Sequence, residues 1–188
     1  MASAPPPDLY YIHGLDSSPQ GFRAVFFKEN FPEIKIPKLP NDVETRLDIL
    51  RSLVTKPACL VGSSLGGLTS LLFARDCPEK VLGMVLIAPA VATFDPEFWT
   101  PESRKEVESL VLSQSIPTHL IAARNDEIIP LEAIRDLHTK AEAPLEIPFE
   151  IFEDTHLLHS KEALEAQLRA ISAISEKALA KKAEALKP

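Results

Sequence analysis

The sequence predicts an α/β domain with a mostly parallel sheet of about six strands, flanked by helices. Short apolar runs of strand type alternate with amphipathic helical stretches, and each run is followed by a helix or a long crossover. The composition agrees with this, because 45% hydrophobic and 25% charged residues are usual for globular domains. We expect one domain over residues 1–188, with a short disordered start at 1–7.

The first two predicted strands lie near the N-terminus. Leu9–His13 is an apolar run that leads to Ser18-Pro19, a cap and first-turn proline that predict a helix through Asn30. Ile34–Ile36 is a second, shorter strand bounded by prolines. These elements make up the first strand–helix–strand unit.

The next helix is predicted from the capping-box spacing of Asn41 and Glu44. Apolar residues then recur at helical intervals, at Val43, Leu47, Leu50 and Val54. A compact apolar strand, Ala58–Val61, precedes a leucine-rich helix over Leu65–Asp76, and Pro78 ends that helix.

The most continuous apolar run, Val81–Ile87, predicts a central strand that is buried on both faces. The last two strands are predicted at Thr118–Ala123 and Pro148–Phe152, with a helix over Leu131–Thr139 between them. Ser160 is placed to cap a long final helix.

The segment 92–116 is too long for a simple turn, and we interpret it as a cap-like crossover in which Thr100-Pro101 begins a helix. It contains Phe94, Phe98 and Trp99 just after a predicted strand end. These aromatic side chains are candidates for binding substrate. Attachment of the segment to the core is an equally good explanation.

Charge and cysteine content narrow the class of protein. A formal net charge of −7, with no basic stripe before the C-terminus, argues against nucleic acid as a partner. We expect no signal peptide and no membrane span, because the start lacks basic residues and no apolar run approaches about 20 residues.

Cys59 and Cys77 lie in apolar segments and are interpreted as reduced core residues, which favours the cytoplasm. Both a monomer and a homodimer are compatible with the sequence.

Gly62-Ser63-Ser64-Leu65-Gly66 matches G-x-S-x-G, the turn that presents a nucleophilic serine between a strand and a helix. Only Ser64 fits, because for Ser63 the two glycine positions hold Val61 and Leu65. The glycines are required since side chains there would clash with the neighbouring strand and helix. Ser64 is therefore the candidate nucleophile; the alternative is an incidental serine in a glycine-rich turn.

A serine hydroxyl needs a base to take its proton and an acid to orient that base, and in hydrolases of this kind both follow the serine along the chain. Asp126, directly after a predicted strand, is the candidate acid, with Glu127 as the alternative. His156, after the last predicted strand, is the candidate base, with His159 as the alternative.

The candidate oxyanion hole comes from the start of the chain. His13-Gly14-Leu15-Asp16 follows the first strand, and glycine there lets the backbone turn towards the nucleophile. The backbone N–H groups of Leu15 and Leu65 are predicted to stabilise the tetrahedral oxyanion. We interpret His13 as a structural residue that braces this loop.

These residues resemble the α/β-hydrolase superfamily and, within it, the small, nearly lidless bacterial esterases of the YqiA type. The matching positions are Tyr11 to Pro19, Gly62 to Gly67, Asp126 and His156, and H-G-x-x-S-S-P is the most family-specific stretch. The resemblance spans the chain from Leu9 to the last helix. It implies a sheet without the first two strands of larger hydrolases, and carboxylesterase or thioesterase activity on short acyl esters.

We therefore predict a serine esterase that cleaves small or short-chain carboxylic esters through an acyl-enzyme. Its partner is a small-molecule ester, and no metal or cofactor is expected. A thioesterase and a catalytically weak binding protein of hydrolase fold are the alternatives.

Overall fold

The computed structural model describes residues 5–95, 100–141 and 147–185. In these residues five parallel strands form one sheet in the order β1-β2-β3-β4-β5. The strands are β1 (Asp8–Ile12), β2 (Ala58–Ser63), β3 (Val81–Ile87), β4 (Thr118–Ala123) and β5 (Phe149–Phe152). The helices are α1 (Phe22–Asn30), α2 (Val43–Leu53), α3 (Leu65–Asp76), α4 (Pro101–Glu108), α5 (Leu131–Thr139) and α6 (Lys161–Ala185), with a 3-10 turn at Pro78–Lys80. The predicted α/β fold class is confirmed.

The predicted strand Ile34–Ile36, which would have made a sixth strand, is a single bridge beside β1. The N–H of Lys35 donates to Leu9 O at 2.8 Å, and Lys35 O accepts the N–H of Tyr11 at 2.9 Å. Prolines flank the segment closely on both sides. Because proline has no N–H to donate, the pairing does not extend into a full strand.

The start of α1 lies later than the predicted Ser18-Pro19. The N–H of Gly21 donates to Ser18 O at 3.0 Å and closes a turn, so Gly21 becomes the N-cap and the helix begins at Phe22. Proline fits the first turn of a helix and also a tight turn, and here it occupies the turn.

The cap of α2 is Asp42 and not the predicted Asn41. Asp42 Oδ1 accepts the N–H of Thr45 at 2.8 Å. Asn41 has similar capping chemistry but bonds to the loop after β1, where its Nδ2 donates to Asp16 Oδ1 at 2.7 Å.

Two other caps are as predicted. Thr100 Oγ1 accepts the N–H of Ser103 at 3.2 Å at the start of α4, with proline at the first helical position. Ser160 Oγ accepts the N–H of Ala163 at 3.3 Å at the start of α6.

The sheet is covered on both faces, so its inner strands are buried. One apolar core lies between the sheet and α2, α3 and α5, and a second lies between the sheet and α1 and α6. Both cysteines are free thiols; Cys59 is buried in β2 and Cys77 is half-buried. None of the described helices is long and apolar enough to cross a membrane.

Candidate active site

Ser64 lies at the turn from β2 into α3, at the C-terminal edge of the sheet. Its backbone has φ 52° and ψ −121°, a conformation that costs free energy for any residue with a side chain. The turn is held from both sides, because the N–H of Ser64 donates to Ile87 O at 2.9 Å and Ser64 O accepts the N–H of Ala90 at 3.0 Å. The surrounding backbone thus maintains the strained turn.

The two motif glycines are sterically required. A Cβ on Gly66 would lie 1.9 Å from Ile12 O, and a Cβ on Gly62 would lie 2.5 Å from Gly66 O. Both contacts are with backbone atoms, which cannot move without displacing a strand or a helix. Ser63 is engaged elsewhere, since its buried Oγ lies 2.8 Å from the hydroxyl of Tyr11.

Asp126 and His156 form a pair at the C-terminal edge of the sheet, after β4 and β5. His156 Nδ1 lies 2.8 Å from Asp126 Oδ2 and 3.0 Å from Oδ1, and both residues are buried. Oδ1 also accepts the N–H groups of Ile128 at 2.9 Å and Ile129 at 2.7 Å. The carboxylate is thereby fixed in orientation, and it selects the tautomer with the proton on Nδ1, which leaves Nε2 free to accept a proton.

The alternative residues occupy neighbouring positions with other contacts. Glu127 Oε2 accepts the backbone N–H of His156 at 3.1 Å, so it holds the loop and not the ring. The ring of His159 packs on Phe22, with the centroids 4.3 Å apart. Burial, together with the charge of Arg23, lowers the pKa of His159.

The loop that carries His156 is stabilised by Asp154. Its carboxylate accepts the N–H of Thr155 at 2.8 Å and that of Ser160 at 2.8 Å, and its carbonyl accepts the N–H of Asn125 at 3.0 Å. Partial burial acts to raise the pKa of the Asp154 carboxyl, but the hydrogen bonds outweigh it and the pKa is lowered.

The loop after β1 passes directly against the serine. A Cβ on Gly14 would lie 3.3 Å from Ser64 Cβ and 3.8 Å from Ser64 Oγ. Among the described residues, the backbone N–H groups of Leu15 and Leu65 have no protein acceptor. For Leu65 this follows from its place in the first turn of α3, where N–H groups have no partner within the helix.

Sequence reasoning missed the buried residue Arg46, which holds the loop after β1 by hydrogen bonds to its carbonyl oxygens. Its Nη1 donates to His13 O at 2.8 Å, its Nη2 donates to Gly14 O at 3.0 Å, and its Nε donates to Pro40 O at 2.5 Å. Arg46 lies four residues before Leu50, on the apolar face of α2. A charged residue on an apolar face is the signal that could have found it.

His13 braces the same loop. Its Nε2 accepts the N–H of Leu39 at 3.3 Å, so its proton is on Nδ1, which lies 3.0 Å from Gly14 O and donates to it. Burial, assisted by the charge of Arg46, lowers the pKa of His13 despite the bond to Gly14, which keeps the ring neutral.

Ser64, His156 and the loop after β1 line a cavity of about 610 Å³, within the range of about 300–1,000 Å³ typical of small-molecule sites. Of the predicted site residues, five line it: Leu15, Ser64, Leu65, Phe94 and His156. Asp126 lies behind His156, and Phe98 and Trp99 fall outside the described residues.

Three further features of the site bear on its chemistry. Among the described residues, the His156 ring bonds to Asp126 through Nδ1, and no hydrogen bond joins it to Ser64 Oγ. Such contacts between a serine and a base often tighten only when a substrate binds. The exposed apolar side chains of Phe22, Ile128 and Leu157 line the cavity, together with charged residues that include Arg23 and Glu127. In the same part of the chain, no cluster of three or more His, Cys, Asp or Glu residues could hold a metal ion.

Solved structures with a similar fold are α/β hydrolases. Alpha/beta hydrolase domain-containing protein 10 from mouse is 21% identical, with a TM-score of 0.71 over 91% of this chain and 90% of that one. A monoacylglycerol lipase from Paleococcus ferrophilus is 18% identical, with a TM-score of 0.71 over 90% and 94% of the two chains. Est1E from Butyrivibrio proteoclasticus, solved with ferulic acid bound, is 17% identical, with a TM-score of 0.69 over 93% and 90%. At these identities the likeness establishes the α/β-hydrolase fold.

No curated protein matches the sequence. The profile of one family does match, over residues 8–176, which include every element from β1 into α6. The chain therefore belongs to the Uncharacterised protein family (UPF0227).

Proposed function

We propose that the protein is a serine hydrolase that cleaves carboxylic esters of small or short-chain acyl substrates through an acyl-enzyme. One observation carries the proposal: a serine in a strained strand-to-helix turn shares a cavity with a carboxylate-oriented imidazole and with two backbone N–H groups that have no acceptor among the described residues. Each of these groups has a defined role in acyl transfer.

In the first half-reaction, His156 Nε2 takes the proton of Ser64 Oγ as this oxygen attacks the carbonyl carbon of the ester. The N–H groups of Leu15 and Leu65 donate to the oxyanion, and Asp126 stabilises the imidazolium. The intermediate collapses when His156 gives its proton to the leaving alcohol oxygen, and Ser64 keeps the acyl group.

In the second half-reaction, water replaces the alcohol. His156 takes a proton from water as it attacks the acyl carbon, and the tetrahedral intermediate again places its negative oxygen at the two N–H groups. Its collapse releases the carboxylic acid and returns the proton to Ser64. No redox partner or metal is needed to balance either step.

The substrate assignment rests on the cavity. About 610 Å³ holds a small acyl group and its alcohol, and the apolar side chains of Phe94 and Ile128 supply a hydrocarbon-binding wall. A thioester uses the same steps, since only the leaving atom changes.

Active-site labelling with a fluorophosphonate tests the nucleophile. We expect wild-type protein to be labelled at Ser64 and Ser64→Ala to be unlabelled and inactive. Ser63→Ala is the matched control, because the neighbouring hydroxyl bonds to Tyr11 and its loss leaves the nucleophile in place. Folded wild-type protein that takes up no label would contradict the proposal and favour a binding protein.

A substrate series tests the bond that is cleaved. We expect p-nitrophenyl esters of short acyl chains to give higher kcat/KM than esters of long chains, and higher kcat/KM than acyl-CoA thioesters of equal chain length. Each measurement is repeated with Ser64→Ala to subtract background hydrolysis. A reversed ester-to-thioester order would identify a thioesterase.

A further inference from the structure

We propose that Arg46 and His13 are positioning residues for the oxyanion hole: together they hold the Gly14 carbonyl oxygen and thereby aim and strengthen the Leu15 N–H on the opposite side of the same peptide. The inference rests on the proposed function, because it concerns the hydrogen bond to the oxyanion. Neither side chain lines the cavity, so both act through the backbone of the loop.

Peptide geometry links the two sides. A trans peptide is planar, and its C=O and N–H point in opposite directions. Two donors fix the carbonyl oxygen of the peptide between Gly14 and Leu15: Arg46 Nη2 at 3.0 Å and His13 Nδ1 at 3.0 Å. Fixing the oxygen therefore fixes the direction of the Leu15 N–H.

This peptide needs an external restraint. Glycine has access to more backbone conformations than any other residue, so the plane beside Gly14 can rotate unless it is held. The loop also lies against the nucleophile, with the Gly14 Cβ position 3.3 Å from Ser64 Cβ. A small rotation of the plane there would turn the donor away from the reacting oxygen.

The charge of Arg46 also strengthens the donor. Hydrogen bonds from a charged group to a carbonyl are stronger than neutral ones, and bonds in a chain polarise one another by about 10–30% each. Burial lowers the pKa of Arg46 to about 10, so the guanidinium remains protonated at neutral pH. The peptide is polarised towards Arg46, which makes its N–H a better partner for an oxyanion.

The environment of Arg46 supports a functional role. Its side chain is fully buried, and among the described ion pairs none includes it. Burying an unpaired cation opposes folding, and packing alone would be better served by an apolar residue. The acceptors that Arg46 does have are three backbone carbonyls of the loop and its flank.

The test compares buried and exposed arginines of one helix. Arg46→Met removes the charge and the donors, Arg46→Lys keeps the charge, and His13→Phe removes the second donor at similar volume. Arg51→Met is the control, since Arg51 lies on the surface of α2 and pairs with Asp48 and Asp76. All variants are first compared by thermal unfolding and by the fraction that a fluorophosphonate labels.

Loss of a complete oxyanion donor lowers kcat by about 10²–10³-fold. We therefore expect Arg46→Met to lower kcat by about tenfold to a hundredfold per labelled site, with KM within about threefold, because the N–H remains but is poorly aimed. Arg46→Lys should recover part of the loss, His13→Phe should lose less, and the Arg51 variant should match wild type.

A boronic acid inhibitor separates positioning from general damage, because its tetrahedral adduct with Ser64 carries the oxyanion. Its affinity should weaken across the variants by the same factor as kcat/KM. Unchanged kcat in folded Arg46→Met, or unchanged boronate affinity beside lowered kcat, would overturn the inference. If Arg46→Met does not fold, Arg46→Lys and His13→Phe give the same two readouts. Wild-type protein without activity or labelling would instead overturn the proposed function.

Discussion

Replacement of Asp126 by asparagine should nearly abolish ester hydrolysis while leaving the fold intact. The structure dictates how the new amide must lie. Asp126 Oδ1 accepts two backbone N–H groups, from Ile128 at 2.9 Å and Ile129 at 2.7 Å, so the single oxygen of asparagine must stay at that position. Its NH2 group then faces His156 Nδ1, where Oδ2 lay at 2.8 Å. Oδ1 also lies 3.0 Å from Nδ1, but it already accepts two backbone N–H groups. The nearer NH2 group therefore favours the imidazole tautomer that accepts at Nδ1 and carries its proton on Nε2.

This tautomer cannot take a proton from Ser64, so the base is lost although the ring stays in place. The same change in a serine protease lowers kcat by about 10⁴-fold. At about 1.36 kcal/mol per tenfold change in rate, that loss is about 5 kcal/mol of transition-state stabilisation. The free energy of unfolding falls much less, by about 1 kcal/mol, because both hydrogen bonds from the backbone N–H groups survive with a neutral acceptor. For a chain of this size the corresponding fall in Tm is about 2–4 °C.

The assay is kcat/KM on a short-chain p-nitrophenyl ester, with Tm measured on the same samples. Asp76→Asn is the control for the chemical change, because Asp76 ends α3 and pairs with Arg51 and Arg75 away from the cavity. It should keep activity within about twofold of wild type, since its loss removes only surface ion pairs. An Asp126→Asn variant that retains more than a tenth of the wild-type kcat/KM would refute the tautomer argument.

Two further predictions concern stability. Gly66→Ala should destabilise the fold by about 3 kcal/mol or more and lower Tm by at least about 6 °C, because its Cβ would lie 1.9 Å from Ile12 O. Gly21→Ala is the control: its Cβ would lie 3.0 Å from Ser17 Oγ and 3.2 Å from Ser18 O, which small shifts relieve, so we expect Tm to change by less than about 2 °C. Equal Tm values for the two variants would contradict this. The pKa of Asp154 is lowered in the folded protein, so its carboxylate stabilises the fold above its ordinary pKa and loses that effect on acidification. Measured by urea unfolding, Asp154→Asn should therefore lose less stability than wild type between about pH 5 and pH 3. Parallel curves of stability against pH would exclude this role.

The parts of the candidate site that sequence reasoning found are those governed by local rules or by parallel-sheet topology. The turn at Ser64 is local, since the glycines on either side specify it within five residues. Asp126 and His156 are thirty residues apart, yet each follows a parallel strand, and the C-terminal ends of such strands share one edge. Their roles in catalysis remain predictions.

The parts that sequence reasoning did not find depend on contacts between distant segments. Arg46 has helix-forming neighbours on both sides, and nothing local shows that its acceptors are the carbonyls of His13 and Gly14, more than thirty residues away. Asn41 and Asp42 are adjacent residues with equivalent capping chemistry. Because Asn41 is hydrogen-bonded to Asp16, Asp42 is the residue that caps α2.

The strands that carry the candidate site differ in how much of each is buried and paired. β2, which presents Ser64, is buried throughout. β5, which leads to His156, has four half-buried residues, and within the described part of the chain it pairs with β4 alone. Local opening concentrates at edges with few buried contacts, so β5 releases at a lower free energy than the inner strands. Warming would therefore detach the base from the nucleophile while most of the sheet remains paired. For the proposed reaction, the temperature that ends turnover lies below the temperature that ends the fold.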